Sequence, residues 1–500
     1  MNPRSLAVCL MCLSAFAPSL YSQSNAAISG VVQDTSGAVV PSATIEVTNE
    51  LTGLRWETQS DNGRLFNITR LPVGEYRVRS RMEGFKQFVS EVFRLDADQV
   101  RSIEVTLTVG AAAESVTVSG TVSQVETVSG VLRQVVDEKR ITELPLNGRN
   151  PVQLVLLVPG AVPAPAAGSL SANAGISVNG ARGTSTNYLL DGGDNNDPQE
   201  SVSAVTPNPD ALEEFSVLTN NFGAEYGRNA GAVVNAVTKS GTNSLHGSLY
   251  EFVRNDDFDA RNFFAVSKGK LRRNQFGGTL GGPVVRNKAF FFGSYEGVRQ
   301  RQGQTFSSLV VPTELERRGD FAASSQKPRD PITNEPFSGS IIPANRFDPA
   351  ALKFMELLQV PLPNATGNRF IFNRPENLDS NQFLGRGDYS LSQTQRLTGR
   401  VFETSSTELL TAGLPVLQSD VAFDTWNVSG QHTSTFSPAL LGVGQYTWNK
   451  SQIDRGPLPV GGGEGVSFQD MGIQVNRGGL DALGKALVPH YRGQVNGTGI

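Results

Sequence analysis

Cysteine is nearly absent: Cys9 and Cys12 are the only two in 500 residues. Both sit in an apolar run at the N-terminus. If that run is removed, the rest of the chain has no disulfide framework, no thiol nucleophile and no Cys-ligated metal. Histidine is equally scarce. His246, His432 and His490 lie far apart and no HExxH spacing occurs, so zinc catalysis and histidine-based hydrolysis have little to work with. No stretch offers 18 consecutive apolar residues, and the best internal candidate, 154–167, is broken by Pro159, Pro163 and Pro165. That excludes a bilayer-spanning helix but leaves spanning strands open, because their signal is weaker. A net charge of −4 with 18% charged residues gives no basic face for nucleic acid. What the chain does have is glycine, 52 residues of it, and length for about three domains.

Residues 1–25 read as a secretory signal peptide: Arg4 supplies the positive flank, and Leu6 to Ala17 an apolar core of 12 residues. Ala15-Phe16-Ala17 has the small-x-small form of a cleavage site but would leave Pro18 first, and cleavage nearer Ser22 or Ala26 is an equal reading; in each case both cysteines leave with the peptide.

From 27 to 108 the chain alternates at period two between turn signals. Ile28–Val32, Ala43–Thr48, Leu54–Thr58, Leu65–Ile68, Tyr76–Arg79, Phe85–Phe93 and Val100–Thr108 predict about seven short strands, hence a β-sandwich. The stretches Ile28-Ser-Gly-Val-Val32, Gly37-Ala-Val-Val-Pro41, Asp61-Asn-Gly-Arg-Leu-Phe66 and Leu71-Pro-Val-Gly-Glu-Tyr76 resemble the carboxypeptidase regulatory-like domain. The resemblance implies a buried Tyr76 ring and no active-site residues. Related sandwiches of this carbohydrate-binding-like fold include sugar binders, but Trp56 is the lone aromatic candidate here and reads better as core.

Residues 109–134 form a small-residue, polar linker. Within it Glu114, Ser115, Val116, Thr117 and Val118 alternate, and such a segment can add to a partner's sheet through its backbone. The pentapeptide resembles a TonB box, which implies the TonB-ExbB-ExbD energy-coupling complex as partner. A last strand of the sandwich or a plain linker are the competing readings.

The segment 135–243 changes character. Asp137–Leu144 predicts a short helix and Leu154–Val158 an apolar element. Then come Val178-Asn-Gly-Ala-Arg182, Tyr188-Leu-Leu-Asp-Gly192, Leu212 to Val217, Tyr226-Gly227 and Gly231 to Lys239. In this order the pieces resemble the α+β plug domain of TonB-dependent receptors. Thr219-Asn-Asn-Phe-Gly223 replaces the usual Arg-Gly-Pro, and with Leu144–Asn150 and Ala224–Arg228 it resembles the Oar-like branch. The run Asp191, Asp194, Asn195, Asn196, Asp197 has oxygen ligands of a type suited to calcium, but lacks the spacing of a calcium loop and reads as turn formers. Glu225 and Arg228 read as a structural ion pair.

Residues 244–500 show segments of about ten alternating residues separated by alternately short and long connections, the pattern of a transmembrane β-barrel. Candidate strands are Leu245–Arg254, Asn274–Gly282, Lys288–Gly297, Asn381–Tyr389, Gln395–Thr404, Ala422–Phe436 and Leu440–Lys450, with 298–380 as an irregular outer loop. Leu440, Gly442, Gly444, Tyr446 and Trp448 fall on one face; Leu441, Val443, Gln445, Thr447 and Asn449 fall on the other, which becomes polar toward the same end. Asp259–Phe264, Asn274–Pro283 and Lys288–Glu296 resemble the start of an Oar-like barrel. Plugged outer-membrane transporters have 22 strands, so the expectation is a truncated barrel behind two complete domains.

The fold expected is therefore mainly β: an N-terminal β-sandwich, an α+β plug and the first strands of a barrel in the Gram-negative outer membrane, with the sandwich in the periplasm. The resemblance implies uptake of an unidentified ligand by energy-coupled plug movement, without catalytic residues, metal or cofactor. A surface adhesion or structural outer-membrane protein is the second reading.

Overall fold

A computed structural model describes residues 26–63, 65–110, 115–118, 130–164, 175–197, 202–223, 226, 231–261, 263, 268–325, 327–357, 359–411, 414–415, 418–437, 440–457 and 492–495. The expected signal peptide, Glu114, the Glu225 and Arg228 pair and the Gly-rich end 496–500 lie outside them.

The first unit packs two sheets face to face. Its strands are β1 (Ala26–Asp34), β2 (Thr44–Asn49), β3 (Arg55–Gln59), β4 (Leu65–Leu71), β5 (Gly74–Arg81), β6 (Gln87–Ser90), β7 (Phe93–Leu95), β8 (Val100–Leu107) and β9 (Ser115–Val118). One sheet has the order β4-β1-β8; the other runs β3-β2-β5-β6-β9, with β7 also on β5. Alternate residues such as Ile28, Ile45, Val47, Val78 and Leu107 point inward and are fully buried, as period two requires. Tyr76 is fully buried, and its hydroxyl donates to Pro72 O at 2.7 Å. Trp56 packs on the same core with its ring 6.0 Å from Tyr76. The expected single strand Phe85–Phe93 is two strands. Ser90 Oγ accepts the Val78 N–H and donates to Glu91 O, so a side chain takes the ladder position and breaks the strand.

The second unit holds β10 (Leu132–Asp137), α1 (Glu138–Glu143), β11 (Ala161–Ala164), β12 (Gly175–Val178), β13 (Asn187–Leu190), β14 (Gly193–Asp194), β15 (Leu212–Asn220) and β16 (Val233–Thr238). Asp137 caps α1 by accepting the Arg140 N–H. The apolar element after it is a 3-10 run, Pro151–Leu157, with Asn150 as its cap. The main sheet has the order β10-β15-β16-β13-β14, and β11 pairs with β12.

The third unit is one sheet of eight strands in sequence order, antiparallel throughout: β17 (His246–Asn255), β18 (Leu271–Val285), β19 (Ala289–Val310), β20 (Arg369–Ser390), β21 (Gln395–Thr411), β22 (Gln418–Ser437), β23 (Leu440–Pro457) and β24 (Arg492–Val495). β17 and β24 are its two edges among the described residues. The sheet wraps the plug, and Phe292, Leu384 and Phe402 join the plug's buried core. Leu249 and Tyr446 on the other face are 93% and 65% exposed. β19 and β20 run well past the expected ends, paired as far as Val310 and Arg369 with one register shift between Phe306 and Leu309. Arg301 and Asp379, bonded at 2.7 and 2.8 Å, hold that extension. The loop 311–368 is correspondingly shorter and more ordered than expected, with α2 (Glu314–Arg317) and α3 (Pro349–Leu357). No helix among the described residues is long and apolar enough to cross a membrane.

Candidate functional site at the plug–barrel interface

β13 runs parallel to β16, which sets the turn after Leu190 beside Thr238. Asp191 takes a left-handed backbone there (φ 50°), followed by Gly192. Its carboxylate accepts the Thr238 N–H at 2.8 Å and the Thr238 hydroxyl at 2.9 Å. The same carboxylate meets two guanidinium groups of the barrel wall, Arg400 at 2.6 Å and Arg386 at 3.3 Å. Arg386 also binds Asp388 at 2.9 Å and donates to Thr238 O at 2.7 Å, and Arg396 binds Asp388 at 2.8 Å. Asp388 further accepts from Ser240 and Thr398. Arg400 and Asp388 are buried. Such a network adds little net stability over apolar packing, but removing one member strands the others without solvent.

Neutral polar contacts continue the seam. Asn427 and Asn449 donate to Asp194 O at 3.3 and 3.0 Å. Gln382 accepts the Asn208 N–H at 2.7 Å and donates to Thr206 O, while Asn208 donates to Ser294 at 2.9 Å. Further along, Arg149 pairs with Asp210 and lies over the rings of Tyr250 and Phe252, 4.6 and 4.2 Å from their centroids. Beside the apolar contacts of Phe292, Leu384 and Phe402, the plug is thus held by hydrogen bonds of a kind that water can replace.

The barrel end that carries the short turns 286–288 and 391–394 faces the sandwich. Asn243 N–H donates to Leu51 O at 3.0 Å and Asn243 is bonded to Asn287. The junction leaves a half-open cleft of about 580 Å³, lined by Leu51, Arg70, Glu213, Asn287 and Arg396 among others. The loop between β7 and β8 grips the plug. Ala97 N–H donates to Glu214 at 2.5 Å, and Arg94 reaches Glu213 at 3.1 Å and Glu214 at 3.4 Å. Asp98 accepts the hydroxyls of Ser216 and Tyr226 at 3.1 and 3.2 Å, and Arg133 donates to Ala97 O. Glu214 is wholly inaccessible, and burial, reinforced by the neighbouring Asp96, pushes its carboxyl up to about 8.

The family model described as "Outer membrane beta barrel domain" matches residues 237–490, half of the chain. The models for the TonB-dependent receptor plug domain and the carboxypeptidase regulatory-like domain match 128–234 and 27–108. The chain belongs to the TonB-dependent receptors of the outer membrane. It is 27% identical over 331 residues to the TonB-dependent transporter Oar of Myxococcus xanthus, covering 62% of this chain and 30% of that protein. The chain therefore spans under a third of the length of this curated relative. Among solved structures, the outer membrane transporter YddB of Escherichia coli aligns at 12% identity and a TM-score of 0.42, over 65% of this chain and 39% of that one. The ferric enterobactin receptor of Pseudomonas aeruginosa aligns at 16% and 0.40, over 65% and 41%.

In this receptor Ser115, Val116, Thr117 and Val118 form β9, paired in parallel with Gln87, Phe88, Val89 and Ser90 of β6. β9 is the outermost strand of its sheet, so the reading as a last sandwich strand describes its position. Asp191, weighed at sequence level as a turn former or calcium ligand, is bound by two arginines. Among the described residues no group of three metal-ligating side chains converges. Arg386, Asp388, Arg400, Asn427, Glu214 and Arg94 were not singled out from sequence. For the barrel residues a signal existed: polar or charged side chains at every second position of a strand mark a face turned away from lipid.

Proposed function

We propose that the protein is a TonB-dependent receptor or transporter that takes up a ligand, as yet unidentified, through energy-coupled movement of the plug. The observation that carries this reading is the seam around Asp191, where charged and amide side chains hold the plug beside the apolar contacts of Phe292, Leu384 and Phe402. In this reading residues 1–25 are a signal peptide, 27–108 the periplasmic sandwich, 109–134 the linker with the coupling strand, 135–243 the plug and 244–500 barrel. The coupling strand, Glu114 to Val118, receives a strand of the TonB C-terminal domain, and TonB-ExbB-ExbD supplies the pull. No residue is assigned to catalysis and no cofactor is required.

The test is binding of a purified TonB C-terminal domain to the receptor in detergent. Val116→Pro with Val118→Pro removes backbone donors on which strand addition depends. Binding is expected to fall at least tenfold in this variant; unchanged binding refutes the assignment of the strand.

One observation favours a second reading, a surface adhesion or structural role. The loop 311–368 presents Leu315, Ile332 and Ile341 at 53, 83 and 50% exposure, apolar side chains that a partner's surface could cover. Loss of cell contact with normal nutrient uptake on deletion of the gene would select that reading.

A further inference from the structure

Two routes lead from β9 to the plug. The covalent one runs through residues 119–131, and 14 peptide units from Val118 to Leu132 reach about 48 Å when drawn taut. The other is non-covalent and has no slack. β9 is paired with β6 over four residues, β6 with β5 at Arg79 and Ser80, and β5 with β7 at Gly74 to Tyr76. β7 leads directly into Asp96, Ala97 and Asp98. Those residues hold Glu214 and Ser216, two alternate, fully buried residues on one face of β15. β15 is an inner strand of the plug sheet, paired on both sides. The loop is shaped for the grip: Asp98 adopts a left-handed backbone (φ 59°), which turns its carboxylate back onto Ser216 and Tyr226.

We infer that the sandwich transmits force to the plug: a pull on β9 reaches β15 through the sandwich sheet and the Arg94–Asp98 grip before segment 119–131 is drawn taut. Arg94, Ala97 and Asp98 are then positioning residues for coupling, and the sandwich is a handle on the plug. This rests on the reading of β9 as the coupling strand.

Single-molecule force measurement on the full chain in detergent tests it, with one handle on a cysteine at Ser115 and the other on the outer loop at Ser338. In the parent protein the plug is expected to rupture early, before the 119–131 segment is extended. In Arg94→Ala with Asp98→Gly the sandwich should lift away first and plug rupture should move to longer extension, by up to about 48 Å. Equal rupture extension in the two proteins overturns the link. Should the double variant not fold, Val89→Cys with Thr117→Cys, which join in-register partners of β6 and β9, gives a second arm. Locked in this way, every trace should rupture early, and late rupture overturns the link. TonB-domain binding is measured on the same preparations. Early rupture without binding removes the coupling role of β9 and leaves the mechanical link standing; binding with late rupture does the reverse.

Discussion

Asp191 of the plug and Arg400 of the barrel wall meet at 2.6 Å, although 209 positions separate them in sequence. Arg400 is 2% exposed and has no route to bulk water while the plug is seated. The pair therefore fixes one orientation of the plug in the lumen, and its energetic weight lies in what happens when one partner is lost.

Asp191→Ala is expected to destabilise the seated plug by about 3–5 kcal/mol, because two guanidinium groups lose their shared carboxylate in a closed site. Asp191→Leu with Arg400→Leu should cost less than Asp191→Ala alone. Urea titration followed by tryptophan fluorescence reads both, and a double variant weaker than the single one contradicts the account.

Gly193 sits against the barrel wall, where an added Cβ would lie 2.5 Å from Thr447 Oγ1 and 3.0 Å from Gln445 Nε2. Gly193→Val should push β14 off β23 and lower the urea midpoint of plug release, while Gly444→Ala, on the outer face of β23 with open space around it and an extended backbone, should stay within about 1 kcal/mol of the parent.

The period-two pattern made much of this wall legible in advance. Tyr446 is exposed on one face of β23, while Gln445 and Asn449 on the other donate to the plug. A strand's side chains alternate without drift, so face assignment needs no partner. Strand length was less legible. Arg299, Arg301, Glu376 and Asp379 interrupt the apolar alternation, yet cross-strand pairing carries β19 and β20 through them. The site itself was barely visible, because Asp191 looks like any turn residue until Arg386 and Arg400 arrive from far along the chain. Glu214 and Arg94 share that problem across a domain junction.

Glu214 makes the grip of the sandwich on the plug depend on pH. Its carboxyl titrates near 8 when folded, against an ordinary value of 4.5. The folded state then holds a proton that the unfolded state releases, so stability is fully present below about pH 4.5 and is lost as pH rises through 8. Between these limits the slope should approach about 1.4 kcal/mol per pH unit. Glu214→Gln should flatten it and raise stability at pH 8, as seen in denaturant midpoints from pH 5 to 9. A slope unchanged by the substitution would show that another group sets it.

Tyr76→Phe removes one buried hydrogen bond to Pro72 O and should cost about 1 kcal/mol. Tyr76→Ala opens a cavity in the sandwich core and should cost about 3–5 kcal/mol. Thermal melts of the full chain distinguish the two.

The most direct test of plug movement is thiol labelling at Ser294→Cys. Ser294 is 7% exposed and bonded to Asn208 of the plug, so a membrane-impermeant reagent reaches it only when the plug shifts. Labelling in intact, energised cells should exceed that in cells without TonB at least tenfold, and Val116→Pro with Val118→Pro should abolish the excess. Equal labelling with and without TonB would contradict an energy-coupled plug.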